Sequence, residues 1–163
     1  MLRDEFKEYS QLKFYTQIKK GEVMHYVFSL LGDLSGKDPD AEVKRCVALA
    51  QSRFPEFKDF PGLETKITTL LNDFRFKELF FCKGSSVFTE KEVVNRFGDT
   101  KRIDRLIVKD EDAVIIDFKS GREEEAQAKQ IKEYIELMRA IYPGKKVKGC
   151  LVYVDELLIK EVN

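Results

Sequence analysis

A chain of 163 residues, 43% of them hydrophobic, is long enough to bury one compact core. Lys plus Arg and Asp plus Glu both number 29, so the formal net charge is zero. That excludes a strong, autonomous nucleic-acid clamp, which would be basic, but leaves room for a catalytic module that a larger partner delivers to DNA. No apolar run reaches the roughly 18 residues of a membrane span, and Met1-Leu2-Arg3-Asp4-Glu5 lacks the apolar centre of a secretory signal. Cys46, Cys82 and Cys150 are scattered, with no Cys-x-x-Cys spacing. They read as free thiols of a reducing compartment, so a cytoplasmic protein without disulfides, zinc or iron–sulfur cluster is expected.

A single domain is predicted over 1–163, helical over 1–80 and sheet-rich over 85–162. Gly21 to Asp33 is apolar around most of a helical wheel, and its exceptions Glu22, His25 and Ser29 form one narrow polar stripe. Such a stripe on a buried helix must face a polar cavity. Asp40 is expected to cap a second helix running to Phe54, and Pro61-Gly62 to open a third that reaches Phe76. Ser86–Phe97 and Lys101–Lys109 read as strands joined by a turn at Gly98-Asp99-Thr100. Ala113 to Phe118, β-branched and apolar on both faces, reads as a central strand. Gly121 interrupts the chain. Glu123–Tyr142 then has helical spacing, with Ile131, Tyr134, Ile135, Met138 and Tyr142 on one side, and Pro143-Gly144 ends it. Lys148–Asp155 and Leu157–Val162 complete the strands. The sum is a mixed α/β fold: a three-stranded meander, a crossover helix and a parallel strand, in a mixed sheet flanked by helices.

Acid-x-Lys triplets are cheap in a chain that is 36% charged. Glu5-Phe6-Lys7, Glu42-Val43-Lys44, Glu56-Phe57-Lys58 and Glu64-Thr65-Lys66 accompany Asp117-Phe118-Lys119. Only Asp117 directly follows an apolar strand, where an acid and a lysine two residues apart share one face. Burying such a pair costs several kcal/mol (roughly) unless something compensates, and a divalent cation is a natural compensator. Asp104 lies mid-strand one hairpin away, and two carboxylates converging near a lysine suit a hard ion such as Mg²⁺. The alternative is an exposed Asp104 paired with Arg102 or Arg105, and an Asp117 that merely ends a strand. His25, the only histidine, is either a structural hydrogen-bonder or a ligand. Glu90 and Glu92 share a face of their strand and are either solvated or part of a site. Gln130 and Tyr134, four apart on a helix, are either boundary residues or site residues.

In order and spacing, Gly21-x-x-x-His25, Arg102-Ile103-Asp104-Arg105, Asp117-Phe118-Lys119-Ser120-Gly121 and Gln130-x-x-x-Tyr134 resemble the signature of the RecB-like branch of the PD-(D/E)XK nucleases. The resemblance covers about residues 85–162 and the segment around His25, and no part of it falls in residues 34–80. It implies a PD-(D/E)XK core, with His25, Asp104, Asp117 and the Phe118 backbone carbonyl as ligands of Mg²⁺ or Mn²⁺. It implies Lys119 as the catalytic lysine, Gln130 and Tyr134 as residues that line the active site or hold DNA, and Glu90, with Glu92 close behind, as an additional acid. The four-cysteine iron–sulfur cluster of some relatives is not expected. The implied activity is metal-dependent DNA hydrolysis, as an exonuclease in double-strand break repair and recombination. Such domains form the C-terminal part of helicase–nucleases such as RecB and AddA, which the last strands of this sequence resemble, so DNA and a fused or associated helicase are the expected partners. A catalytically silent DNA-end-binding module and a structure-specific endonuclease or resolvase are the alternatives.

Overall fold

The computed structural model describes residues 2–95, 97–122 and 125–163, with side chains from residue 13 onward. Helix α1 spans Leu2–Leu30. It starts well before the predicted Gly21, because residues 2–20 hold neither proline nor glycine to break it. It stops three residues short of the predicted end, because Leu31, Gly32 and Asp33 are claimed by other partners. The Arg105 guanidinium binds the Leu31 and Gly32 carbonyls, and the Asp33 carboxylate accepts the amides of Ser35 and Cys82.

Helix α2 (Pro39–Arg53) is capped by Asp38, not by Asp40 as expected. Pro39 is pre-set for the first helical position, and the Asp38 carboxylate then accepts the Asp40 and Ala41 amides. Helix α3 (Phe60–Asn72) begins on Asp59 and ends four residues before the expected Phe76. Asp73 leaves the helix in an extended conformation and caps a 3₁₀ turn at Phe74–Phe76, which leads into the short α4 (Lys77–Phe80).

Strands β1 (Ser86–Val94), β2 (Thr100–Val108), β3 (Asp112–Lys119), β4 (Lys146–Tyr153) and β5 (Leu158–Val162) lie in that order in one sheet. All neighbours are antiparallel except β3 and β4, which run parallel and are joined through helix α5 (Glu125–Ile141). Every predicted strand is present, with bounds shifted by at most three residues. The expected helix start at Glu123 lies outside the described residues. Among the described residues no helix is long and apolar enough to cross a membrane.

Alternation along β3 sends side chains to two separate cores. Ala113 and Ile115 pack with Ile131, Tyr134, Ile135 and Met138 of α5. Ile116 and Phe118 pack with Val27, Phe28 and Phe80 on the opposite face. Gly149 lets α5 approach β4, since a Cβ there would come within 2.2 Å of Ile131 Cγ2. The Phe28 and Phe118 rings stack with centroids 4.0 Å apart and planes 8° from parallel, which pins α1 to β3. His25, one helical turn before Phe28, is thereby brought to the C-terminal end of β3.

Candidate active site

The site forms where the sheet opens. Cross-strand pairing of β2 with β3 runs from Val108↔Ala113 to Arg105↔Ile116 and stops. One more step in that register would set Asp104 against Asp117. Two carboxylates there repel, and the ladder gives way. The Asp104 side chain takes over the lost ladder bond: its Oδ2 accepts the Phe118 amide at 2.9 Å. On the other side of β2, Glu90 falls between the pairs Thr89↔Arg105 and Lys91↔Ile103, facing Asp104 with φ of 51°. A non-glycine residue in the left-handed region is strained, and such strain is concentrated at functional sites.

Asp117 is 4% exposed and Lys119 projects on the same face of β3. Lys119 Nζ lies 2.6 Å from Asp117 Oδ2, an ion-pair distance, but off hydrogen-bonding geometry, so Oδ2 is a buried oxygen with no hydrogen bond. Burial pushes the Asp117 pKa up, the Asp104 charge pushes it further, and Lys119 and His25 pull only partly against them. His25 Nδ1 stands 3.2 Å from Asp104 Oδ2. Burial alone would lower the His25 pKa; the hydrogen bond to Asp104 and the charges of Asp104 and Asp117 reverse this and leave it raised. The alternative partners for Asp104 are therefore elsewhere. Arg102 Nε pairs with Glu90 at 2.8 Å, and Arg105 is wholly buried against backbone carbonyls.

A polar relay closes the α5 side. Lys119 Nζ reaches Gln130 Oε1 at 3.5 Å, Gln130 Nε2 donates to the Tyr134 hydroxyl at 3.0 Å, and that hydroxyl donates to the Arg102 carbonyl at 2.9 Å. Asp104, Asp117, Lys119, Gln130, Tyr134 and His25 all line one cavity of about 510 Å³, with Glu92 at its exposed rim. Glu90 instead lines a second cavity of about 490 Å³, together with the predicted polar stripe Glu22, His25 and Ser29. Burial raises the Glu90 pKa, against the pull of Arg102. His25, Glu90, Glu92, Asp104, Asp117, Lys119, Gln130 and Tyr134 thus line one or other of two cavities that share His25, Arg102 and Asp104, and Phe118 lines neither.

Sequence reasoning missed two roles. Arg102 holds Glu90 through its guanidinium and Tyr134 through its carbonyl, although its register partner on β1 is Glu92. Gln127, three residues before Gln130, accepts the Tyr153 hydroxyl at 2.7 Å and ties α5 to β4. Gly21 carries a role its motif only hinted at: a Cβ there would meet Ser120 Oγ at 3.3 Å, so its absence lets α1 close on the end of β3.

A divalent cation fits these donors. Among the described residues no three His, Cys, Asp or Glu side chains are clustered tightly enough to hold an ion unaided. Mg²⁺, however, commonly needs only one or two carboxylates, with water and substrate phosphate completing its shell. The buried Asp117 carboxylate, paired only with Lys119 on its Oδ2, and the Asp104 carboxylate supply those. In an extended residue the amide and carbonyl point to the same side, so the Phe118 carbonyl faces the same opening as the amide that Asp104 accepts.

The chain is similar over part of its length to two solved structures. One is an EndoMS–dsDNA complex, at 28% identity and TM-score 0.35, covering 58% of this chain and 39% of that one. The other is SSO0001, at 16% identity and TM-score 0.33, covering 85% of this chain and 66% of that one. The chain thus spans less than two thirds of the length of either. Among curated proteins, none matches the sequence. A family model, that of the PD-(D/E)XK nuclease superfamily, matches residues 4–161. With nearly the whole chain inside that match, and an acid–acid–lysine site at the opening of its mixed sheet, the protein belongs to the PD-(D/E)XK nuclease superfamily.

Proposed function

We propose that this chain is a divalent-cation-dependent deoxyribonuclease that hydrolyses phosphodiester bonds at the Asp104–Asp117–Lys119 site. The observation that carries the reading is the opened β2–β3 ladder, beside which a buried Asp117 oxygen, ion-paired to Lys119, sits next to a second carboxylate. Asp104, Asp117 and the Phe118 carbonyl would hold Mg²⁺ or Mn²⁺, with His25 fixing Asp104 from the α1 side or joining the ligands. A cation held there polarises a phosphate oxygen and lowers the pKa of a bound water.

The protein's own groups do the rest. Lys119, tethered between Asp117 and Gln130, neutralises charge as it builds on the phosphate and orients the attacking water. Tyr134 fixes Gln130, and hence the lysine, against the Arg102 carbonyl. Water adds to phosphorus, the bridging P–O bond breaks, and the leaving oxygen takes up a proton.

The finer reading is a RecB-like exonuclease domain, cytoplasmic, working beside a fused or associated helicase in double-strand break repair. Its support is the ordered signature of His25, Asp104, Asp117-Phe118-Lys119, Gln130 and Tyr134, with a net charge of zero that suits a module brought to DNA by a partner.

The test is cleavage of labelled linear and covalently closed circular DNA with Mg²⁺ or Mn²⁺. Lys119→Ala, Asp104→Asn and Asp117→Asn should each lose roughly 100-fold or more while keeping the wild-type circular dichroism. An exonuclease leaves the closed circle intact. Undiminished cleavage by pure Lys119→Ala protein would sink the assignment.

A further inference from the structure

A second cavity adjoins the Asp104–His25 wall of the site. It lies on the far side of the Asp104–His25 pair from Lys119, an open cleft of about 490 Å³, within the range of roughly 300–1,000 Å³ for small-molecule sites. His25, Arg102 and Asp104 line both it and the cavity that holds Lys119. A phosphate held at Asp104 would therefore have one flanking nucleotide toward Lys119 and the other toward this second cavity.

The chemistry of its walls selects what enters. Tyr26 and Phe54 meet edge to face with centroids 5.4 Å apart, which gives the cavity an aromatic side. Arg53 at the end of α2 and Arg102 on β2 add cationic groups at the rim, and the Glu90 carboxylate is held by Arg102. An aromatic surface with guanidinium groups next to a phosphate position suits a nucleoside: the base meets the rings, and the cations meet the flanking phosphate. The cavity is bounded by α1 on one side and the α2 end on the other, so a base must be out of its duplex stack to enter.

We propose that the cavity walled by Tyr26, Phe54 and Arg53 is a nucleoside subsite that takes the unpaired base next to the scissile phosphate, making single-stranded or frayed ends the substrate. The proposal rests on the nuclease reading above and specifies its substrate. It explains why Glu90 carries backbone strain: the kink aims its carboxylate at Arg102 and this cavity rather than at Lys119.

The experiment uses the full chain and single-stranded oligonucleotides carrying one abasic residue at successive positions. With wild-type protein, one position beside the cut should lower kcat/KM by about 10- to 100-fold, the usual weight of one stacked base. Phe54→Leu, which keeps the apolar volume but removes the ring, should lower kcat/KM on the intact strand by a similar factor. It should then lose nothing further on the abasic strand. Equal tolerance of every abasic position, or equal losses by Phe54→Leu on intact and abasic strands, would overturn the subsite while leaving the nuclease reading untouched. A second arm does not depend on turnover. Anisotropy of the same oligonucleotides with Lys119→Ala protein in Ca²⁺ should show the single sensitive position as weakened binding. Uniform binding across the series overturns the subsite even if no cleavage is ever seen.

Discussion

Arg105 offers the sharpest test of how the site is held. Its side chain is wholly buried and donates to the carbonyls of Leu79 at 2.8 Å, Leu31 at 2.6 Å and Gly32 at 3.0 Å. Arg105→Met keeps most of the volume and deletes all three donors. A buried acceptor left without a partner costs about 1–3 kcal/mol; Leu31 and Leu79 are buried and Gly32 half-buried, so the loss is about 3–5 kcal/mol. Relief of the buried charge, which lowers the Arg105 pKa, offsets part of this, but the carbonyls stay where they are. Unfolding entropy near 2.1 cal/mol/K per residue gives about 0.34 kcal/mol/K for 163 residues, so the melting temperature should fall by about 9–15 °C. Arg102→Met is the control: its side chain is 60% exposed, and its ion pair with Glu90 is worth under about 1 kcal/mol. Scanning calorimetry of both variants decides. If Arg105→Met melts within about 3 °C of wild type, or above Arg102→Met, then the guanidinium is not what anchors the end of α1.

Gly21→Ala should slow cleavage by no more than a few-fold (roughly), since its Cβ meets Ser120 Oγ at 3.3 Å and the two must give by a few tenths of an ångström beside His25. Steady-state rates check this: a second change, Ser120→Gly, should restore the rate, and Gly32→Ala, with nothing within 4 Å, should be neutral. Asp117 has a pKa raised above 3.8 in the folded protein, so its contribution to stability is complete below that pH and is lost as pH rises through the folded value. In chelator at neutral pH, Asp117→Asn should therefore melt above wild type, with the gap closing as pH falls toward 3.8 and Mn²⁺ stabilising only wild type; an Asn variant that melts lower at neutral pH would contradict the burial argument.

The sheet was the most legible part of the molecule, because period-two patterning and turn residues speak locally. Val114, Ile115 and Ile116 announce a strand covered on both faces, and α5 on one face and α1 on the other cover it. Helix ends were less legible. Asp38 and Asp40 are equally good caps by type, and only Pro39 between them decides. The end of α1 depends on Arg105, 74 residues away from Leu31, which no local pattern reports. Within the site, the residues were readable and their partners were not. Asp104 stands between two arginines in sequence, yet it binds neither, because strand alternation sends Arg105 to the opposite face and Arg102, whose register partner on β1 is Glu92, reaches diagonally to Glu90.

The dipeptide Asp104-Arg105 shows how fold and site depend on each other. Adjacent residues of a strand face opposite ways, so one strand position serves the cavity and the next serves the core. Arg105 fastens the C-terminal end of α1, whose carbonyl end favours a cation. His25, on the same helix, returns to Asp104. The contact chain is closed, running from β2 to α1 and back to β2, with the Phe28–Phe118 stack as a third tie to β3. The carboxylate pair and the opened ladder work against stability, and these three ties lie directly beside them. Loosening any one of the three should therefore move His25 relative to Asp104 before it unfolds the sheet.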